Sequence, residues 1–306
     1  MTNKTTAATL CALGGNAIFG FSFMFSRIAL GVATPFVLLT YRFILAVLGL
    51  SIAALWSVKR KNPPKESEDF MRFDLRGKNL LPLVGLGVVQ PVLYFLCESY
   101  GIAMTNASFS GVIIALVPIV GLILGAVVLH ERATARQVVW SLVSIAGVVM
   151  ITLMQSAEGA VRPLGVLLLL GAVLSGVVFN IISRSIAYRF SAFERTYVMM
   201  LIAAVTFLSL AAWENRADLS ALLAPLQSLS FMGATVYLSL VSSIGAFMML
   251  NFANNHLPVA KTTAFCNLTT VISVFAGVVF LHEPFSAAML LAAGMIVLGV
   301  FMVQTD

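Results

Sequence analysis

Long apolar runs follow one another along the whole chain, each close to the length of a bilayer span and each ended by charge, proline or an Asn/Gly cluster. Ten are legible, at residues 8–30, 35–58, 80–100, 105–129, 135–155, 163–186, 193–213, 230–251, 257–281 and 286–304. A helix needs about 20 residues to cross a hydrocarbon core. None of the runs alternates with the period of two that a membrane barrel requires. Backbone polar groups in lipid have to be satisfied within the segment, so each run is expected to be a helix. The expected fold is all-α and polytopic, with ten transmembrane helices, spans 1 to 10.

Composition sharpens this picture. The chain is 60% apolar and 10% charged, whereas soluble domains run at about 45–50% and about 25%. Too few charges remain to coat a water-facing surface, which excludes a soluble domain. The first run follows Lys4 and continues to Leu30 without a small-residue cleavage site, so it is expected to stay as span 1 rather than leave as a signal peptide. Cys11, Cys97 and Cys266 lie inside apolar runs with no metal spacing, and no metal or cofactor is expected.

The net charge of +6 matters through its placement. Seven of the 18 basic residues fall between Lys59 and Lys78, interleaved with Glu66, Glu68, Asp69 and Asp74. No aromatic residues alternate with them as a surface for stacking bases would need, so no nucleic-acid partner is expected. The loop reads as a topology signal near anionic headgroups. With the N-terminus inside, fourteen Lys and Arg face the cytoplasm and four (Arg27, Arg42, Arg162 and Arg216) face out. Both termini are therefore expected in the cytoplasm, with the protein in a bacterial cytoplasmic (inner) membrane.

The chain also repeats itself. Gly125–Arg132 reads GAVVLHER and Gly277–Pro284 reads GVVFLHEP, an offset that continues through Gly147-Val148 and Gly299-Val300 to Met150 and Met302. Span 1 carries Ser26-Arg27 and span 6 carries Ser183-Arg184; spans 2 and 7 share Thr40-Tyr41 and Thr196-Tyr197. Two five-span halves, 1–157 and 158–306, are expected. Five is odd, so the second half has to enter the membrane from the opposite side. Inverted repeats are a recurrent architecture of secondary transporters.

Asn106-Ala107-Ser108, then Pro118, then Leu129–Arg132, with Arg42 early in span 2 and the repeated Leu281–Pro284, resemble the signature of the EamA family in the drug/metabolite transporter superfamily, over essentially the whole chain. The resemblance implies a ten-helix basket whose spans 1, 3, 4, 6, 8 and 9 line a mid-membrane cavity, with spans 5 and 10 peripheral. It also implies a small-molecule substrate such as an amino acid, nucleobase, metabolite or drug, usually exported. Small multidrug relatives bind protons and cations through a glutamate in their first helix. Here spans 1 and 6 offer Asn16 and Asn180 and no acid.

Polar groups within spans are costly and point to function. Glu98 is the one acid inside a span; it either takes up a proton or a substrate ammonium, or reaches the headgroups or an arginine. Arg42, two turns into span 2, suits either a substrate carboxylate or a structural pair. In span 9, Thr263, Asn267 and Thr270 share one face and suit a cavity wall or helix-helix glue. Asn16 and Asn180 sit near mid-depth, where a paired substrate site would lie. Tyr94, Phe19, Phe23, Phe179 and Tyr237 are candidate apolar walls. Pro118 is the expected hinge of span 4. Neither His130-Glu131 nor His282-Glu283 has the second histidine of a zinc-protease motif, and end-of-helix anchoring suits them better.

The expected function is secondary transport, as an exporter, of an amino-acid-like or drug-like metabolite by alternating access. Partners are the substrate, membrane lipid and a coupling proton or ion. No P-loop occurs. The alternatives are an intramembrane enzyme, for which no histidine lies mid-span, and a non-transporting receptor or scaffold.

Overall fold

The computed structural model describes residues 3–59, 73, 75–128, 134–157, 161–257, 265–284 and 286–304. Every regular element among them is helical. Helix α1 spans Asn3–Leu30 and α2 spans Pro35–Lys59. Next come α3 (Leu81–Gly87), a π-helical turn (Val88–Leu93) and α4 (Tyr94–Ala103), which together make span 3. Span 4 is split into α5 (Ala107–Ile114) and α6 (Val117–Val128). Helices α7 (Ala135–Ala157), α8 (Pro163–Ser185) and α9 (Ala192–Glu214) follow. Span 8 is α10 (Leu229–Val236), a second π-helical stretch (Tyr237–Ala246) and α11 (Phe247–His256). The chain closes with α12 (Cys266–Leu281) and α13 (Ala287–Gln304).

Seven of these runs are long and apolar enough to cross a membrane, and three shorter apolar ones lie at Ala135–Met150, Leu268–Leu281 and Ala287–Gly299. Large apolar side chains such as Leu48, Ile52 and Leu55 on α2, and Leu290 and Leu291 on α13, point outward. On a water-soluble protein such a surface would drive association; in a bilayer it meets acyl chains. The chain is an integral membrane protein.

Packing reflects the sequence repeat. α2 packs on α9, α5 on α12, α7 on α13, α4 on α8, and α1 on the Tyr237–Ala246 stretch and α11. Exchanging each span for the one five places along leaves this pattern intact: 2–7, 4–9 and 5–10 map onto themselves, and 3–6 maps onto 8–1.

Two ends of the bundle are tied by polar contacts. At the Thr34 end, Thr34 donates to Glu214 (2.6 Å), the Arg162 amide to Met104 O (3.1 Å), and Arg27 to Ile102 O (3.0 Å) and Ala103 O (3.4 Å). At the Ser191 end, Lys78 pairs with Glu194 (2.9 Å), and Arg184 donates to Asn254 O (3.0 Å) and Leu257 O. Arg27 and Arg184, equivalent in the repeat, thus each satisfy the last carbonyls of a helix. One does so for span 3 and the other for span 8, at opposite ends of the bundle.

Candidate functional site

A partly open cavity lies between α1, α2, the break of span 3 with α4, the α5–α6 break, α8, α11 and α12. Its wall carries Asn16, Ser22, Arg42, Gln90, Glu98, Asn180 and Thr269 among aromatic and aliphatic side chains that include Phe19, Phe23, Tyr94, Phe95 and Phe179. Its free volume is about 70 Å³, well below the roughly 300–1,000 Å³ of pockets that hold organic ligands. The bundle therefore stands contracted around it.

Local sequence explains why the cavity exists where it does. Pro91 removes a helical donor, and Gln90 leaves the helical region altogether (φ −146°, ψ 123°); span 3 breaks beside the cavity. Pro118, buried at the start of α6, likewise leaves the Ile114 carbonyl without its helical donor. One turn upstream the chain tightens, with Leu116 N bonding Ile113 O at 3.0 Å. Ile114 and Val117 flank this break and both line the cavity. Irregular backbone at membrane depth is tolerated where it faces a protein-lined space.

Arg42 is 1% exposed. Its Nε donates to Ser243 Oγ (2.8 Å) and its Nη2 to Ser242 Oγ (3.0 Å), and the guanidinium lies over the Phe95 ring at 4.0 Å. Ser22 on α1 also donates to Ser242 (2.8 Å). Glu98 is buried in the same cavity, with the Tyr94 hydroxyl directed at its carboxylate. The two charges act on one another electrostatically, yet they do not touch as an ion pair. Both charged groups line the same cavity.

Other expected site residues fare differently. Asn16 lines the cavity, but its Nδ2 donates to Ala12 O (2.8 Å) and its Oδ1 accepts from Thr269 (3.1 Å), so its amide joins α1 to α12. Gly20 permits that approach, since a Cβ there would meet Ile272 Cβ at 2.6 Å. Asn180 lines the opposite wall and accepts a long contact from Asn254 (3.5 Å). Thr270 turns away from the cavity and donates to Gly111 O (3.0 Å), where α12 meets α5; its neighbour Thr269 faces the cavity instead. Thr263, Lys261 and His130-Glu131 lie outside the described residues. So does the side chain of Asn267, whose backbone opens α12. Tyr237 stacks on Phe25 (4.1 Å) and donates to Ile18 O, off the cavity wall.

The sequence reading passed over Gln90 and Ser22, and counted Thr269 in the polar load of span 9 but not on its cavity face. For Gln90 a signal was present: a Gln-Pro step inside an apolar run places a polar group beside a forced helix break, a combination that marks binding sites in transporters.

A helical bundle buried in lipid, with broken spans around a polar chamber, defines a membrane transporter. The match to the EamA-like transporter family covers residues 6–153 and 163–305, and the chain belongs to that family. It is 29% identical over 301 residues to the uncharacterized transporter YcxC of Bacillus subtilis, covering 97% of this chain and 93% of that protein. It is 26% identical over 227 residues to a probable terminal-alkyne amino-acid exporter of Streptantibioticus cattleyicolor, with 73% of each chain covered. A solved crystal structure shares the fold at TM-score 0.64 and 19% identity, over 97% of this chain and 96% of that one.

Proposed function

We propose that the protein is a secondary transporter that exports small amino-acid-like zwitterions from a bacterial cytoplasm. The observation that carries this reading is the separated pair of buried charges, Arg42 and Glu98, in one cavity. A carboxylate on the guanidinium and an ammonium on the Glu98 carboxylate would each replace the hydration lost on entry. The amino-acid exporter among the relatives supports both the substrate class and the direction. No step of this reading calls for catalysis.

In this reading the chain makes ten crossings as two inverted halves, 1–157 and 158–306, with both termini and the Ser191 end in the cytoplasm. The opposed placement of Arg27 and Arg184 supports the inversion. Rocking of one half on the other opens the contracted cavity to each side in turn, with the breaks at Gln90-Pro91 and Ala115–Pro118 as bending points. Glu98 carries the coupling proton, which it releases or takes up as its surroundings change from closed to hydrated.

The test is counterflow in proteoliposomes, with labelled amino acids drawn from the acidic, basic, polar and aliphatic classes. Accumulation of at least one zwitterion, abolished by Arg42→Lys without loss of the folded protein, is the expected result. Failure of every zwitterion, with transport of an organic cation or a nucleobase instead, would overturn the substrate class.

A further inference from the structure

Gln90 is 6% exposed, lines the cavity, and its Oε1 has no hydrogen-bond partner among the described residues. Buried polar atoms are almost always paired, because an unpaired acceptor has lost water and gained nothing. Gln90 borders the cavity, so a solute held there can bring the donor that its Oε1 lacks. Its backbone adds a second observation. The residue sits outside the helical region at the break of span 3, so the fold places this amide in the cavity rather than along a helix face.

Position within the chamber decides what the amide meets. Glu98 follows Gln90 by eight residues along span 3, beyond the π-helical turn and nearer the Thr34 end. Arg42 stands over the ring of Phe95, which lies between Gln90 and Glu98 in the span and closer in sequence to Glu98. The charged pole thus lies toward the Thr34 end and Gln90 toward the Ser191 end. Asn180, five residues before the end of α8 at Ser185, faces the cavity at that same end. Phe19, Phe95 and Phe179 are among the apolar side chains of the same wall. The chamber therefore has a charged pole and an amide pole.

Resting on the reading of this cavity as a zwitterion site, we propose that Gln90 is a specificity-determining residue, whose amide hydrogen-bonds the substrate's side chain and selects amino acids bearing a hydroxyl or carboxamide over apolar ones of equal size. Arg42 and Glu98 hold the α-carboxylate and α-ammonium, common to all amino acids; Gln90 reads what differs. A site that buries a polar group for this purpose discriminates strongly against analogues lacking the matching group, since they leave it unpaired.

Counterflow with two near-isosteric pairs, L-threonine against L-valine and L-glutamine against L-methionine, tests this. Wild-type protein is expected to favour threonine and glutamine by about tenfold in kcat/KM, the scale of one well-formed hydrogen bond against an unpaired group. Gln90→Leu should bring both ratios to within about twofold by losing the polar substrates while valine transport persists. Gln90→Asn, which keeps the amide and shortens its reach, should fall between. A preference that survives Gln90→Leu would remove Gln90 from the selection. Should Gln90→Leu fail to fold, the wild-type ratios decide alone: equal transport of both members of each pair overturns the inference and leaves the zwitterion site standing. If neither pair is transported while another solute class is, the underlying reading fails with it.

Discussion

Arg42 and Arg195 are the two largest fully buried side chains among the described residues, and they sit on spans that the repeat makes equivalent. Arg195, in the first turn of α9, spends its donors on protein. Nη1 bonds Ser183 O and Ser183 Oγ (both 2.7 Å), Nη2 bonds Asn251 O (2.8 Å) and Asn255 Oδ1, and Nε reaches Ser191 O (3.4 Å). Those acceptors come from α8, α11 and the turn into α9, so one planar fork fastens three spans. Arg42 has two hydroxyls and an aromatic face, and it lines a cavity. A guanidinium surrounded by acceptors is framework. One with donors to spare, facing a chamber that also holds the Glu98 carboxylate, has what the proposed binding role requires.

The largest effect is expected at Arg195. Hydrogen bonds between membrane helices average about 0.6 kcal/mol each, so the four that Arg195 makes to other spans amount to roughly 2 kcal/mol before the stranded carbonyls are counted. Arg195→Leu should therefore deplete the folded protein, read as loss of the monodisperse peak and of the thermal transition in detergent. Arg195→Lys should recover only part, because a point charge cannot reproduce the fork. Full stability in Arg195→Leu would show the fork to be dispensable.

Arg42→Lys should separate from this in kind. Its hydroxyl bonds and cation–π contact, about 0.5–2 kcal/mol, are largely open to an ammonium, so the thermal transition should stay near wild type. Transport should fall by roughly a hundredfold, the loss expected when a charge-assisted bidentate contact worth about 1.5–3 kcal/mol goes. Equal damage to stability at Arg42 and Arg195 would erase the contrast between them.

How far the sequence foretold this contrast differs by level. The spans were legible because hydrocarbon thickness imposes one length on every run; α2, predicted at 35–58, is found at Pro35–Lys59. The repeat was legible because equivalent motifs do equivalent work, as Arg27 and Arg184 show. The site was less so. Arg195 counts in the sequence only as one of the charges on the cytoplasmic side, since charge counting cannot see that α8 and α11 surround the first turn of α9 with acceptors. Asn16 and Thr269 satisfy one another across a helix pair, and a one-residue difference in register decides that Thr269, not Thr270, faces the cavity. Only the fold carries such pairings.

Glu98→Gln comes next in size. The amide keeps a hydrogen-bonding group in place and removes the titration. Uptake at a fixed pH should drop by several-fold, and the dependence on an imposed pH gradient should flatten. An unchanged gradient dependence would take the proton from Glu98 and leave it as a substrate contact only.

The smallest effect is expected outside the cavity, where Glu283 offers a carboxylate that is fully spent. At the end of α12 His282 turns left-handed (φ 53°), and Glu283 reaches back to the first turn of α5. It accepts from Ala107 N (2.8 Å), Ser108 N (2.9 Å) and Ser108 Oγ (2.6 Å), while Asn106 Oδ1 accepts from Phe109 N (2.8 Å). Three otherwise orphaned amides of one half are thus capped, two of them by the other half. Gly277 makes room for this, since a Cβ there would lie 2.2 Å from Ser108 Oγ. Glu283→Gln exchanges one accepting oxygen for an NH₂ that opposes an N–H, and it withdraws a negative charge from a helix N-terminus. Together these should cost about 1 kcal/mol. The thermal transition should fall slightly, and Gly277→Ala should lower it by the same route. Neither variant should alter KM, because the clasp joins the halves without touching the cavity. A raised KM in Glu283→Gln at intact stability would show that the contact opens during transport and that Glu283 belongs to the moving part of the molecule.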